Sequence, residues 1–512
     1  MQAAYAITVP RNLVGCMKEK SVCIVKFGGT SVGNGERISR VAAIISDAVK
    51  SGEPYFPVVV VSAMSGVTDQ LLRIAKLACN GKTEAYAQEL TSLRQKHLQA
   101  AVEVTDDDQN RVALLNALEE SLESLTQDVH TLYETAQSGD VVHLRTAAVA
   151  AWGERLSVSL VAAAVNRLGT PAESIRKEVI ITSHPAFDPE QPFGVVVGAD
   201  PLHVETRANA HAIIHPLVER RIVPVACGFI GRTITGYVTT LGRNGSDYSA
   251  TVIGAALDCA EVSIYTDVDG VLSADPRLVA NARLLMSLSY AEAARLSWFG
   301  AKVLHPRTLI PIATRGIPVR VRNSFRPHIR GTSIGPVGST PSGASAITIR
   351  RNLALVTVES TDLFGAPENA GQVFDLAARA GAAPIAICSS SGHHLSFLVD
   401  EQAAKSVVGL LQHNMDTSLW TVRCLHGLAA CACIGSGFTS DPMSAARASI
   451  ALASEHIPVI TQGASEQGTT FIVEDRNSES ALRCLHRDLI APVIPIVRHP
   501  AQEKSQRNEV RA

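Results

Sequence analysis

Residues Val22 to Val32 read Val-Cys-Ile-Val-Lys-Phe-Gly-Gly-Thr-Ser-Val, an apolar strand that takes one charge, Lys26, before two glycines and two hydroxyls. A strand buried in a sheet rarely accepts an ammonium unless a partner offsets its desolvation. Gly28 and Gly29 let a backbone approach a ligand without side-chain obstruction, and Thr30 and Ser31 add donors at the same spot. Asn34 is placed to cap a following helix, whose apolar positions Ile38, Val41, Ile45 and Val49 recur at helical spacing. Strand, glycine loop and helix N-terminus converge, and anions favour such a place. Taken alone, Lys-Phe-Gly-Gly equally describes a tight turn beside a snorkelling lysine. Because the lysine precedes the glycines, the loop is not of the Walker type.

The rest of the chain narrows the class. Charges nearly balance over 512 residues, at a formal net charge of -2, so bulk charge points neither to nucleic acid nor to an anionic membrane surface, and a small-molecule partner is expected. No uninterrupted apolar run is long enough to span a bilayer, while runs such as Val58 to Val61 suit buried strands. The ten cysteines are scattered; Cys23, Cys227 and Cys259 sit singly in apolar contexts, as reduced core thiols do. Cys431 and Cys433 alternate along an apparent strand and read as packing, so no metal framework is expected. Residues 1–20 lack the apolar centre of a secretory signal and read as a loose tail, with Met17 a candidate translation start, and a cytoplasmic location is expected.

From 21 to 335, strand-like runs alternate with helical patterns, the clearest strands being Val22 to Phe27, Val58 to Ser62, Val223 to Gly228, Val262 to Thr266 and Val319 to Val321. Such alternation predicts an α/β fold with a mainly parallel sheet sandwiched by helices. Residues 83–137 turn polar and helical and read as an insertion or lid. The segment 336–351 opens on turn formers and reads as a linker. Beyond it, 352–497 contains a diverged repeat: Pro384-Ile-Ala-Ile-Cys before Phe397-Leu-Val-Asp parallels Pro458-Val-Ile-Thr-Gln before Phe471-Ile-Val-Glu. Repeated small units leave clefts for an effector at their seam, or serve for dimerisation alone. Residues 498–512 form a polar tail.

Four further runs carry chemistry. Leu241-Gly-Arg-Asn-Gly-Ser-Asp places Arg243, Ser246 and Asp247 at another helix N-terminus, where a guanidinium fork suits a carboxylate and Asp247 orients an amino group or balances Lys26. Ile264-Tyr-Thr-Asp ends a strand on Thr266 and Asp267, the place where open α/β sheets bind ligands, and Asp275-Pro-Arg277 follows; Asp269-Gly270 reads as an ordinary turn. Ser289-Tyr-Ala-Glu292 is a capping box whose helix runs toward Gly300-Ala-Lys302 and His305-Pro306, with His305 read as structural. Val61 to Asp69, with Ser62 and Thr68, follows a buried strand, and Glu154 is a carboxylate among apolar residues that pairs either with a substrate ammonium or with a helix neighbour.

In this order, these motifs resemble the aspartokinase family of the amino-acid kinase fold. The resemblance runs through Lys26-Phe-Gly-Gly-Thr-Ser, Ser62 to Thr68, Gly153-Glu154, Gly242 to Asp247, Thr266-Asp-Val-Asp-Gly, Asp275-Pro-Arg277 and Phe299 to Pro306, and the repeat is similar to tandem βαββαβ ACT domains. The kinase half and Ile460-Thr-Gln-Gly-Ala-Ser are most similar to the kinase portion of bifunctional aspartokinase–homoserine dehydrogenases, and no dehydrogenase is expected in the length that remains. The resemblance implies phosphorylation of L-aspartate by ATP with Mg²⁺, giving 4-phospho-L-aspartate, the first step of an amino-acid biosynthetic pathway. It implies catalytic roles for Lys26 and Asp247, aspartate binding by Ser62, Thr68, Glu154, Arg243 and Ser246, and nucleotide binding by Lys26, Gly28, Gly29, Thr30, Thr266, Asp267, Leu272, Arg277, Lys302 and Val303. It implies feedback by lysine or threonine, with Gln462 and Ser465 as effector candidates, and a homodimer or larger assembly through the ACT domains. The family often has an aromatic residue where Leu272 stands; Ala386 and Gly392 replace acidic residues of lysine-inhibited relatives, and Cys388 a glutamine of threonine-linked ones. A silent homologue acting as an amino-acid sensor and a glutamate or N-acetylglutamate kinase are the alternatives.

Overall fold

The structure is a computed structural model that describes residues 22–52, 54–139, 142–184, 198–242, 244–301, 304–338, 343–360, 370–391, 393–416, 418–438 and 441–490. The tail 1–20, Met17, the expected repeat end at 497 and the tail 498–512 lie outside them, as do Arg243, Lys302, Val303 and Gly392.

The first part runs β1 (Val22–Phe27), α1 (Gly35–Lys50), β2 (Phe56–Val61), α2 (Val67–Cys79), α3 (Thr83–Val104), α4 (Asp108–Gln137), α5 (His143–Ala150), α6 (Trp152–Arg167), β3 (Ala172–Ile175) and β4 (Ile181–Thr182). It continues through α7 (His203–Glu219), β5 (Val223–Cys227), β6 (Ile230–Thr233), β7 (Val238–Thr240), α8 (Gly245–Ala256), β8 (Val262–Thr266), β9 (Ser287–Ser289), α9 (Tyr290–Trp298), α10 (Pro306–Ala313), β10 (Val319–Asn323) and β11 (Thr332–Gly335).

Eight strands form one sheet in the order β3-β5-β2-β1-β8-β10-β11-β9. Its core from β3 to β10 is parallel, and the turn from β10 into β11 is antiparallel, which agrees with the expected mainly parallel sheet. The five strands legible in the sequence are its consecutive centre, because strands buried on both faces read as continuous apolar runs. Successive side chains of β1 point to opposite faces. Val25 and Phe27 join α1 and α6 through Ile38, Val41 and Leu156, whereas Val22 and Ile24 join α8 through Val252 and Ile253. Each such aliphatic side chain contributes about 1.5–3 kcal/mol on burial. Lys26 falls on the α8 face.

Residues 83–137 form α3 and α4, which pack Leu93, Ala101, Leu118 and Leu125 into the same cluster as α2 and α6. The stretch His143–Arg167 is apolar enough to cross a membrane by length and composition, yet 78% of its most apolar window lies inside the fold.

The second part runs β12 (Ala346–Ser360), α11 (Ala370–Arg379), β13 (Ala386–Ser390), β14 (His394–Asp400), α12 (Glu401–Asn414), β15 (Trp420–Ile434), α13 (Pro442–Ser454), β16 (Thr461–Ser465), β17 (Gly468–Glu474) and α14 (Ser478–Leu489). Two β-α-β-β-α units share one sheet, ordered β13-β14-β12-β15-β17-β16. Each long central strand serves both. Residues 353–359 of β12 pair with β14, while 346–350 of β12 pair with 430–434 of β15, beside β17. The segment read as a linker therefore gives its last residues to β12, where Ile347 is buried. Cys431 and Cys433 are fully buried, and none of the nine cysteines among the described residues is in a disulfide.

Candidate active site

A cavity of about 860 Å³ opens at the carboxyl ends of β1, β2 and β8. It brings together Lys26, Gly29, Thr30, Ser62, Thr68, Glu154, Ser246, Asp247, Thr266 and Asp267 from five separate stretches of chain. Lys26 is 7% exposed, and the alternation of β1 aims it at the first turn of α8, where its ammonium pairs with Asp247. Gly28 lies against it: a Cβ there would stand 3.4 Å from Lys26 Nζ. At Gly29 a Cβ would come within 3.0 Å of the Ala63 carbonyl, so only glycine lets the two loops approach this closely.

Two helix N-termini open on this space. Gly66 at the start of α2 and Asn244 at the start of α8 are left-handed, at φ +78° and +57°, and neither helix has a side-chain cap on its first amides. Those amides carry partial positive charge that suits phosphate or carboxylate oxygens. By contrast Asn34 accepts from the Arg37 amide at 3.0 Å and closes the start of α1.

Glu154 supplies the opposite polarity. Its Oε1 accepts the Ala63 amide at 3.0 Å, while Oε2 is buried without a partner. Burial pushes its carboxyl up to about 8, and the Ala63 amide and Lys26 pull only weakly the other way. An unpartnered, desolvated carboxyl in a polar cavity is a seat for a cationic group. Gly153 makes that placement possible, since a Cβ there would stand 2.7 Å from the Ala63 Cβ.

Other expected residues lie elsewhere. Leu272 bridges Leu284 outside the cavity, and the Arg277 fork closes on Asp275 at distances of 2.6 to 3.1 Å at an exposed tip. Asp269 is more than a turn residue, because it accepts from Asn323 at 2.7 Å and pairs with Arg326 at 2.6 Å. His305 caps α10 through Nδ1, which accepts the Arg307 amide. Glu292 completes the capping box with Ser289. Ser465 lines a separate cavity of about 430 Å³ between α9 and the edges of the second sheet and bonds Arg295, while Gln462 is exposed outside it.

Two contributors, Phe229 and Lys96, escaped the sequence reading. Phe229 lines the cavity with φ +64°, strained for a bulky residue, and Gly228 and Gly231 around it were the available signal. Asp69, the last residue of the run expected after β2, lines it from α2. Lys96 of α3 donates to the Ser65 carbonyl at 2.5 Å, and burial lowers its ammonium from the ordinary value. Nothing local marked it, for Ser65 is 31 residues away.

Residues 21–323 match the amino acid kinase family, and 432–489 match an ACT domain. Aspartokinase 1, chloroplastic, of Arabidopsis thaliana is 31% identical over 492 residues, covering 92% of this chain and 80% of the relative. The bifunctional aspartokinase/homoserine dehydrogenase 2, chloroplastic, of Zea mays is 32% identical over 500 residues, or 94% of this chain, which spans only 52% of that relative. E. coli aspartokinase III in complex with aspartate and ADP, in its R-state, superposes with a TM-score of 0.72 at 27% identity, covering 92% of this chain and all of that one. The same enzyme with lysine and aspartate, in its T-state, gives 0.70. The chain belongs to the amino acid kinase family, among the aspartokinases, and carries ACT regulatory units after its kinase part.

Proposed function

We propose that the chain transfers the γ-phosphoryl group of ATP to the β-carboxylate of L-aspartate in the cytoplasm, giving 4-phospho-L-aspartate and ADP. One observation carries the reading: a buried ammonium, Lys26, and a buried carboxyl with one free oxygen, Glu154, line the same cavity as two open helix N-termini. A zwitterionic acceptor needs both polarities. Glu154 receives the α-ammonium, Arg243 the α-carboxylate, and Ser62, Thr68 and Ser246 orient the side chain. Lys26, steadied by Asp247, lies where charge spreads over the transferring phosphoryl group, with Gly28, Gly29 and Thr30 beneath it. Thr266, Asp267, Leu272, Arg277, Lys302 and Val303 serve the nucleotide.

The acceptor carboxylate is already a nucleophile, so positioning and charge neutralisation dominate the barrier and no strong base is required. Mg²⁺ is held mainly through substrate phosphates with one or two carboxylates. Asp69, Asp247 and Asp267 are the cavity aspartates suited to that hard ion, which supplies charge neutralisation when bound. The catalytic part spans 21–335 and the regulatory part 352–497, through which the chain forms a dimer or larger assembly and is inhibited by lysine or threonine near Ser465 and Gln462.

Trapping the acyl phosphate with hydroxylamine, using aspartate, glutamate and N-acetylglutamate in parallel, tests the reaction. ATP-dependent hydroxamate with aspartate alone is expected. Product with glutamate or N-acetylglutamate instead overturns the substrate, and no product with any of them favours a silent sensor.

A further inference from the structure

After Thr266 and Asp267 the chain leaves the cavity, and Val271 to Val279 turns onto the second regulatory unit. Ser273 and His486 of α14 meet there, 0% and 2% exposed, with Oγ and Nε2 2.8 Å apart. Ser273 Oγ also accepts the Arg283 amide at 2.9 Å and pairs with Nε2 as donor or acceptor according to the ring tautomer. Burial, followed by the Arg283 charge, lowers His486 from its ordinary value, which favours the neutral ring. The Ser273 backbone is fixed on both sides: its N–H donates to the Arg283 carbonyl and its carbonyl accepts from Ile347 of β12, each at 2.8 Å. Ala274 and Val279 then pack with Phe438, Leu482 and Leu485. The loop is thus seated in the regulatory part while its first residue, Asp267, lines the cavity and its middle carries the exposed Asp275–Arg277 tip. Phosphoryl transfer uses none of these contacts.

We propose that His486 is a positioning residue for nucleotide: through Ser273 it holds the β8–β9 loop in its binding-competent place and so sets affinity for ATP and ADP, not for aspartate. This rests on the nucleotide role of the loop given under Proposed function. A loop freed from its anchor must be reordered when nucleotide binds, and that cost appears as lost affinity.

The test compares Ser273→Ala, His486→Leu, the double variant and His486→Gln, whose Oε1 can take the place of Nε2. Steady-state KM for each substrate and the Kd of ADP without aspartate are measured on the full chain. Loss of one buried hydrogen bond predicts a rise of about 2- to 10-fold in KM for ATP and Kd for ADP. The KM for aspartate stays fixed, the double variant is no worse than either single one, and His486→Gln recovers most of the loss. Parallel rises in both KM values, additive effects, or unchanged nucleotide affinity overturn the proposal. If Ser273→Ala and His486→Leu unfold, His486→Gln decides, since a position that serves packing alone gives it no selective nucleotide recovery over the alternative His486→Asn. A wild-type protein that forms no hydroxamate and binds no ADP fails the kinase reading, and this inference with it. An active wild type with insensitive variants fails this inference alone.

Discussion

Buried Lys26 on β1 and half-buried Asp247 in the first turn of α8 are partners drawn together from 221 positions apart by the alternation of one strand. Lys26 keeps its charge inside the sheet because Asp247 offsets its desolvation. Lys26→Met should lower turnover by about two to three orders of magnitude, the range found when one preorganised donor is removed from a developing oxyanion. Steady-state hydroxamate assays decide, and near-normal turnover would remove Lys26 from the mechanism. Asp247→Asn should cost about 3–5 kcal/mol of stability by leaving the ammonium unpaired; an unchanged urea midpoint would refute the pairing.

The raised carboxyl of Glu154 makes aspartate binding proton-linked. With its ordinary value of 4.5 moved up to about 8, it stays largely protonated near pH 7 until an ammonium arrives and favours the ionised form. Aspartate binding at pH 7 should therefore release close to one proton, seen as a binding enthalpy that differs between phosphate and Tris buffers. Glu154→Gln should abolish the difference. The same shift fixes a stability trend: a folded-state pKa raised from 4.5 favours the folded protein fully below 4.5, and that contribution is lost as pH rises from there through about 8.

How much of this was legible follows from what is local. Lys26 could be read because one charge interrupts a run that is otherwise apolar, and the Ser289–Glu292 box because its members are three residues apart. That Glu292 also reaches Ser436, 144 residues on, leaves no local trace. The nucleotide role of Leu272 came from the resemblance alone, and that of Arg277 from its place after a strand end; a strand end does not say where the next connection runs, and in the structure Asp275 takes the Arg277 fork. The repeat was visible as two similar segments; the sharing of β12 and β15 was not, since register over 15 residues depends on which partner each half meets.

Gly153→Ala should act on the amino-acid half of the site. The added methyl meets the Ala63 Cβ at 2.7 Å and Leu71 Cδ1 at 3.3 Å, so the loop whose amide holds Glu154 must move. Overpacking of this kind costs about 1–3 kcal/mol. The KM for aspartate should rise well beyond that for ATP; equal changes in the two would show that the loop moves as a whole.

Glu292 ties the kinase part to the regulatory sheet. It is 0% exposed, its Oε2 accepts the Ser289 amide at 2.7 Å, and its Oε1 accepts the Ser436 amide at 2.8 Å and the Ser345 hydroxyl at 3.2 Å. Glu292→Ala leaves two amides without acceptors, at about 1–3 kcal/mol for each that stays buried. A loss of about 2–4 kcal/mol in urea unfolding is expected, whereas Glu292→Gln keeps an acceptor for one of the two amides and should lose less. Because Ser436 follows β15 and Ser289 opens α9, the loss should also loosen the seam between the two parts. Hydrogen exchange of the β15 and α9 amides reads this directly, and exchange as slow as in the wild type would show that the seam is held by its apolar contacts instead.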